Sequence, residues 1–234
     1  MNIKANISNI LNDLDEKVQL VAVSKTKPID FILEAYQVGQ RIFGENKVQE
    51  LVEKSAVLPD DIQWHMIGHL QSNKVKYIAP FVSLIHAVDS KKLLIEINKR
   101  AKQHDRVIHC LLQIHIAQES SKFGLNEDEA IELLEMNLAN VSIDGIMGMA
   151  TFTDDKQQIR SEFKSLKNTF EKAKSKFHKL SILSMGMSGD YDIAIEEGSN
   201  MIRIGSSIFG VSDNYFCLEI NSHILPTSLF SEPL

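Results

Sequence analysis

Short apolar runs alternate with longer segments of helical periodicity along most of the chain. An apolar run of roughly four to eight residues is typical of a buried strand. Eight such runs predict strands, near residues 20–24, 41–43, 63–67, 81–87, 107–116, 143–145, 182–185 and 201–204. Helical spacing predicts helices between them, over residues 28–38, 47–57, 73–78, 90–104, 127–137, 156–177 and 191–197. Regular alternation of strand and helix indicates a parallel sheet.

The first sixteen residues follow a separate pattern. Apolar residues recur there at helical spacing, so we predict an amphipathic helix packed outside the main fold. These residues are Ile3, Ile7, Ile10, Leu11 and Leu14.

Eight strand–helix units without a GxGxxG dinucleotide motif favour a closed barrel over an open doubly wound sheet. A barrel of this kind takes about 250 residues, close to the 234 present. We therefore predict an α/β fold, a single (β/α)8 TIM-type barrel with an extra N-terminal helix. One domain would span residues 1–234, with a barrel core over about 17–211 and an irregular C-terminal tail over about 212–234, where the alternation is lost.

Composition narrows the class of protein. Hydrophobic residues make up 44% and charged residues 24%, as in ordinary globular proteins. The formal net charge of -6 argues against a nucleic-acid partner. Cys110 and Cys217 stand apart without CxxC spacing, which indicates neither a disulfide framework nor a zinc site. No continuous apolar segment occurs in residues 1–16, so we expect no signal peptide, no membrane contact and a cytoplasmic location.

Candidate chemistry lies where the predicted strands end, because barrel active sites form at the carboxyl ends of the strands. Lys25 directly follows the first strand, and glycine- and serine-rich turns follow the seventh and eighth, at residues 186–189 and 205–210. Glycine lets backbone N–H groups approach a phosphate. A lysine amine beside a phosphate site suggests a phosphorylated aldehyde held as an imine. The alternatives are a solvated lysine at a helix start and glycines that simply turn the chain.

Arg203 lies at the end of the last predicted strand, two residues before Gly205. It would either form a salt bridge at the rim or face a pyridine ring held by its phosphate. In the second case the guanidinium leaves the ring nitrogen unprotonated and the ring a weak electron sink. That arrangement suits storage, transfer or a limited proton transfer.

Other polar residues also follow predicted strands. Residues 44–46 follow the second strand, His69 the third and Asp89 the fourth. His65 lies inside an apolar run and is expected in the core, whereas His69 would lie in a cofactor pocket or at the surface. The histidines do not combine with carboxylates at ligand spacing, so we predict no metal site. Four methionines would fill the core or line an apolar pocket: Met147, Met149, Met185 and Met187.

Together these motifs resemble the pyridoxal phosphate homeostasis proteins, a family of single-domain barrels similar to the N-terminal domain of bacterial alanine racemase. The matching segments run in order between about residues 17 and 211. They are residues 21–28 (VAVSKTKP), 43–46 (FGEN), 64–74 (WHMIGHLQSNK), 184–188 (SMGMS) and 203–206 (RIGS).

The resemblance implies a role for each matched residue. Lys25 would form the internal aldimine with pyridoxal 5'-phosphate (PLP). Arg203 would face the pyridine nitrogen, and Asn46 would line the ring side of the pocket. The phosphate would be held by Ser188, Gly205 and Ser206 together with backbone amides around Met187.

The chain departs from the family pattern at three positions. His115 stands where asparagine is usual in the motif after the fifth strand, and its role is open. Ser206 replaces a common threonine and keeps the hydroxyl. Asn200 stands where threonine is frequent. Neither Lys25 nor Arg203 is affected.

The function implied by the resemblance is PLP binding and intracellular PLP homeostasis without catalytic turnover, which makes the chain a carrier rather than an enzyme. PLP-dependent apo-enzymes would be recipients of the cofactor, and we expect a monomer rather than a dimer.

The main alternative is a PLP-dependent amino-acid racemase, and a Schiff-base aldolase is a further one. Racemisation needs a second base opposite the lysine. The tyrosines fall on predicted helices or the tail, which argues against that base: Tyr36, Tyr77, Tyr191 and Tyr215.

Overall fold

The structure is a computed structural model that describes residues 2–117 and 123–211. Within these ranges eight parallel strands pair in chain order and β8 closes on β1, so the predicted barrel is confirmed. The predicted tail over residues 212–234 lies outside the described residues. The strands are β1 Gln19–Val23, β2 Ile42–Glu45, β3 Gln63–Met66, β4 Leu84–Val88, β5 Ile108–Gln113, β6 Val141–Met147, β7 Ile182–Ser184 and β8 Met201–Ile204.

Helices follow the strands, as the alternation predicted. They are α2 Ile29–Gln37, α3 Val48–Ser55, α4 Val75–Ile78, α5 Lys91–Gln103, α6 Glu127–Leu134, α7 Lys156–Lys176, α8 Tyr191–Glu196 and α9 Ser206–Phe209, with a 3-10 turn at Ser72–Lys74 before α4.

The predicted N-terminal helix is also present, as α1 Ile3–Asp13. It buries Ile3, Ile7 and Ile10, and it packs against α2 and α9. The side-chain amide of Asn6 donates to the Ile208 carbonyl of α9, over 2.9 Å. The first helix of the chain therefore holds the last described one.

Among the strands, β5 and β6 differ most in length from the sequence prediction. β5 ends at Gln113 rather than at residue 116, because the chain after it pairs with its own loop: His115 N donates to Leu125 O. β6 starts earlier and ends later than residues 143–145. A register shift there pairs Leu111 with Gly145, and this bulge breaks the simple alternation of apolar positions.

The core has two layers. A smaller cluster fills the inside of the barrel: Val21, Leu84, Ala87, Leu111, Met147 and Met201. A larger cluster lies between the strands and the helices and includes Phe43, Phe163 and Phe209. The lower barrel is thus packed like other barrels of this class, which leaves the carboxyl end for ligands. No helix among the described residues is long and apolar enough to span a membrane.

Gly145 tests the bulge in β6. A Cβ at this position would lie 1.8 Å from the Ile182 carbonyl oxygen of β7. We expect Gly145→Ala to destabilise the fold by about 3 kcal/mol, because the paired β7 backbone cannot move away freely. Denaturant unfolding measures the change. Gly189→Ala is the control, since a Cβ there meets nothing within 4 Å, and equal unfolding midpoints for the two variants would contradict this account.

Candidate functional site

Lys25 lies on the interior side of the barrel mouth. Side chains alternate between the two faces of a strand: Val21 belongs to the interior cluster, whereas Leu20 and Ala22 pack in the outer layer. Ser24 continues the outer set, because its hydroxyl donates to Glu45 behind the barrel wall. Lys25 therefore follows the interior set. It is exposed, and its amine has no hydrogen bond or ion pair with the described residues.

The two glycine- and serine-rich turns lie side by side, as the sequence predicted for the ends of β7 and β8. Gly205 N donates to Ser188 Oγ over 3.2 Å, and Arg203 N donates to Gly186 O over 3.0 Å. Gly186 has a φ of +97°, and a Cβ there would lie 2.6 Å from the Ala194 methyl group. Glycine is thus required at residue 186 to let α8 pack under the turn.

The amide at Ser206 opens α9, and the first amides of a helix lack intrahelical partners. Ser206 itself is exposed and Ser188 is half-buried. Their hydroxyls and the α9 amides form a set of donors suited to a phosphate.

Met187 fits the predicted phosphate site less simply. Its amide donates to Asp190 Oδ1 over 2.6 Å, so that N–H already has a partner. Met187 is 37% exposed rather than packed as a pocket wall. The sequence motif did not predict this bond, because it depends on how the Asp190 side chain at the start of α8 folds back onto the turn.

Arg203 is buried inside the barrel. Its Nη1 donates to Ser184 Oγ over 2.7 Å and its Nη2 to Gly148 O over 3.2 Å. Burial lowers the pKa of Arg203 to about 10, so the guanidinium stays protonated at neutral pH. It forms no ion pair within the described part of the chain, and the rim salt bridge considered as an alternative is not observed there.

Two buried histidines, His86 and His65, continue the hydrogen-bonded chain that Arg203 and Ser184 begin inside the barrel. His86 Nδ1 lies 3.4 Å from Ser184 Oγ, and His86 Nε2 lies 3.1 Å from His65 Nδ1. Arg203 can only donate, so the Ser184 proton is directed to His86 and the Nε2 proton of His86 to His65. Burial lowers the pKa of His65 to about 3, and burial, His65 and Arg203 lower that of His86 well below its usual range. Both rings are neutral.

The sequence prediction placed His65 in the core but gave His86 no role. The sequence did contain a sign of this role: His86 is a polar residue within the apolar run of β4, where side chains alternate between the two faces of the strand.

Asn46 offers an acceptor at the mouth. Its Oδ1 is buried and has no hydrogen-bond partner among residues 2–117 and 123–211. A buried acceptor without a donor is costly, so the atom suits a ligand donor. The pairing of Val23 with Gly44 brings the Lys25 turn beside Asn46. A Cβ at Gly68 would lie 2.4 Å from Asn46 O, so glycine there keeps the asparagine backbone in place.

Other predicted candidates lie at the rim or behind the wall. His69 Nδ1 contacts Asp89 Oδ2 at 3.0 Å, and the His69 ring stacks on Phe123 with centroids 4.2 Å apart. Both histidine and aspartate therefore lie at the mouth, as strand-end positions predict. Glu45 instead faces the helices. His115 is exposed just after β5, and the residues 118–122 of its motif lie outside the described residues.

No group of three or more potential metal ligands occurs in the described ranges. The observed donors instead fit a phosphorylated aldehyde. A free amine, an orphaned amide oxygen and a protonated guanidinium lie on the inner side of the mouth, and serine hydroxyls and helix amides lie at one edge of it.

Comparison with known proteins agrees with this geometry. The family described as alanine racemase, N-terminal domain matches residues 1–213. The pyridoxal phosphate homeostasis protein of Vibrio alginolyticus is 42% identical over 205 residues, covering 85% of this chain and 88% of the relative. Its counterpart in Aquifex aeolicus is 39% identical over 196 residues, covering 82% and 86%.

Among solved structures, PipY of Synechococcus elongatus with PLP bound superposes with a TM-score of 0.82. It is 33% identical, and the match covers 89% of this chain and 100% of PipY.

The buried histidines make stability depend on pH. In the unfolded chain both rings take up protons below about pH 6.5, whereas the folded chain keeps them neutral. Stability is therefore lost as the pH falls from 6.5 toward the depressed folded values, about 3 for His65. Each histidine contributes a slope of about 1.4 kcal/mol per pH unit.

His86→Gln should reduce the pH slope of the unfolding free energy by about 1.4 kcal/mol per pH unit between about pH 6.5 and about pH 5. Urea unfolding at several pH values measures it. His178→Gln, at an exposed site, should leave the slope unchanged. Parallel pH profiles for wild type and His86→Gln would show that His86 is not held neutral.

Proposed function

The chain belongs to the pyridoxal phosphate homeostasis protein family, and from this premise we propose that it holds PLP covalently on Lys25 and serves PLP homeostasis without catalytic turnover. The observation that supports this most directly is the position of Lys25. Its amine is exposed and unpaired with any described residue, on the interior side of the mouth that the two serine- and glycine-rich turns border.

Lys25 provides the covalent link. When bound, PLP supplies an aldehyde carbon that accepts the lysine nitrogen as a C=N bond, while the aldehyde oxygen leaves as water. The exposed position of Lys25 keeps this bond within reach of solvent and of other proteins. That access suits release of the cofactor to apo-enzymes more than a sealed reaction chamber does.

The phosphate group would lie between the turns after β7 and β8. Ser188 and Ser206 offer hydroxyl donors, and the Ser206 amide lies at the start of α9. The Gly205 amide joins them only if it exchanges its bond to Ser188 Oγ. The Met187 amide joins them only if it exchanges its bond to Asp190. Asn46 would accept a hydrogen bond at the ring side through its orphaned Oδ1.

Arg203 would face the ring nitrogen. Because burial lowers its pKa only to about 10, Arg203 remains a cation at neutral pH and disfavours a proton on that nitrogen. The ring is then a weak electron sink. A weak electron sink supports a role in holding the cofactor rather than in catalysing reactions that need a stabilised carbanion.

Racemisation is the second candidate, because the family model is that of an alanine racemase domain. It requires a base on the face opposite Lys25. Tyr36 and Tyr191 pack in the outer layer between strands and helices, and Tyr77 lies on α4. Tyr215 lies outside the described residues. The described tyrosines thus do not supply the second base.

Borohydride reduction tests the covalent link. The wild-type protein should show a visible imine band that reduction removes, with the pyridoxyl adduct on the Lys25 peptide. Lys25→Ala should lose the band and the adduct, while PLP can still bind through its phosphate. Lys179→Ala, at an exposed position away from these turns, is the control and should keep both. An adduct on another lysine, or none, would overturn the proposal.

Incubation with L-alanine tests turnover. We expect the PLP-loaded protein to form no D-alanine above the background of the Lys25→Ala variant, because none of the described tyrosines is placed as the second base. Chiral chromatography of the product measures it. Sustained, Lys25-dependent formation of D-alanine would favour the racemase instead.

A further inference from the structure

Lys25 occupies a tight turn with an unusual backbone. Lys27 N donates to Ser24 O over 3.0 Å, which closes a four-residue turn with Lys25 and Thr26 at its centre. Thr26 has a φ of +61°, in the left-handed region. A β-branched residue adopts that conformation at a cost of roughly 1–2 kcal/mol, so other contacts must hold the turn.

A buried lysine on α3 contacts this turn from behind the barrel wall. Only 7% of the Lys54 side chain is exposed. Its ammonium group has three N–H donors, and each has a partner: Ser24 O at 2.7 Å, Glu45 Oε1 at 2.8 Å and Glu50 Oε1 at 2.7 Å. The hydrogen bond from Lys54 to Ser24 O therefore holds the peptide group that precedes Lys25.

Glu50 holds the peptide group on the other side. Its Oε1 accepts from Thr26 N at 2.5 Å as well as from Lys54. Rotation about φ and ψ of Lys25 moves these two peptide groups relative to each other. With Ser24 O bound to Lys54 and Thr26 N bound to Glu50, both rotations are restrained by one connected set of charges.

We propose that Glu50 and Lys54 are positioning residues for Lys25, which fix its backbone so that the amine is presented to the aldehyde of PLP. The inference rests on the proposed function, because it gives this pair a role in forming the lysine–PLP bond. Both act through hydrogen bonds to the backbone of the turn.

Stability alone does not account for this cluster. Burial raises the pKa of Glu45 to about 7, although Lys54 opposes the shift, and Glu45 Oε2 has no hydrogen-bond partner within the described ranges. A buried ion pair of this kind often contributes little net stability compared with apolar packing. Apolar side chains in place of Glu50 and Lys54 could not hydrogen-bond to the two peptide groups that flank Lys25.

Glu50→Ala is the informative variant. Glu50 is 21% exposed, and its removal leaves Lys54 paired with Glu45, whereas removal of Lys54 would leave a buried carboxylate unpaired and endanger folding. Glu50→Gln keeps an acceptor for Thr26 N and is the conservative rescue. Glu53→Ala, on the same helix and bonded to Gln49, is the matched control.

The test measures the rate of imine formation after mixing the PLP-free protein with PLP. It also measures affinity for pyridoxine 5'-phosphate, which has the ring and phosphate but no aldehyde. Glu50→Ala should form the imine about tenfold more slowly, since misplacement of a reacting group by 1 Å can cost roughly 10²-fold. Its affinity for pyridoxine 5'-phosphate should stay within about twofold of wild type, because the phosphate turns are intact.

Hydrogen exchange in the PLP-free protein gives a second readout. The Thr26 amide should exchange at least about tenfold faster in Glu50→Ala, because it loses its acceptor. Glu50→Gln should restore most of both the imine rate and the protection, and Glu53→Ala should match wild type.

The outcomes separate the two proposals. A wild-type protein that forms no imine on Lys25 would overturn the proposed function. A wild-type protein that forms it, with Glu50→Ala equally fast, would overturn only the positioning role. An equal loss of imine rate and pyridoxine 5'-phosphate affinity would mean general damage to the pocket, and would also reject the positioning role.

Discussion

The pairing of β8 with β1 is the contact on which the candidate site depends. Val21 of β1 lies opposite Arg203 of β8, and the turns that follow the two strands then meet at the mouth. A Cβ at Gly205 would come within 3.2 Å of Val23 O, which shows how closely the turn after β8 approaches the strand of Lys25. Without this closure the lysine and the serine turns would lie at opposite edges of an open sheet.

Much of this arrangement could be predicted from sequence. Parallel strands present their carboxyl ends at one face, so residues after apolar runs were enough to predict Lys25 and both glycine turns at the mouth. Finer features depend on register and on tertiary contacts. Adjacent Glu45 and Asn46 face opposite sides of the wall, and β5 ends where its own loop replaces the next strand as partner. The Met187 amide is taken by Asp190 for a similar reason.

The charged cluster of Glu45, Glu50 and Lys54 behind β1 also could not be predicted from sequence. Glu50 and Lys54 have the i,i+4 spacing of an ordinary surface ion pair. The sequence contains no signal that α3 turns this pair inward onto the backbone of a distant strand. Likewise, His65 and His86 were visible as polar residues in apolar runs, but their mutual contact required the alignment of β3 with β4.

The contact between α1 and α9 ties the start of the barrel to its finish, and this affects how the protein is made. A ribosome releases α1, β1 and Lys25 first, whereas their partners β8 and α9 emerge near the end of synthesis. Contacts between such distant segments form slowly, since the intervening chain must be ordered first. The nascent chain thus presents Lys25 long before the turn after β8 is in place beside it. A site that uses the turns after both β7 and β8 can therefore form only once translation has reached the last strand.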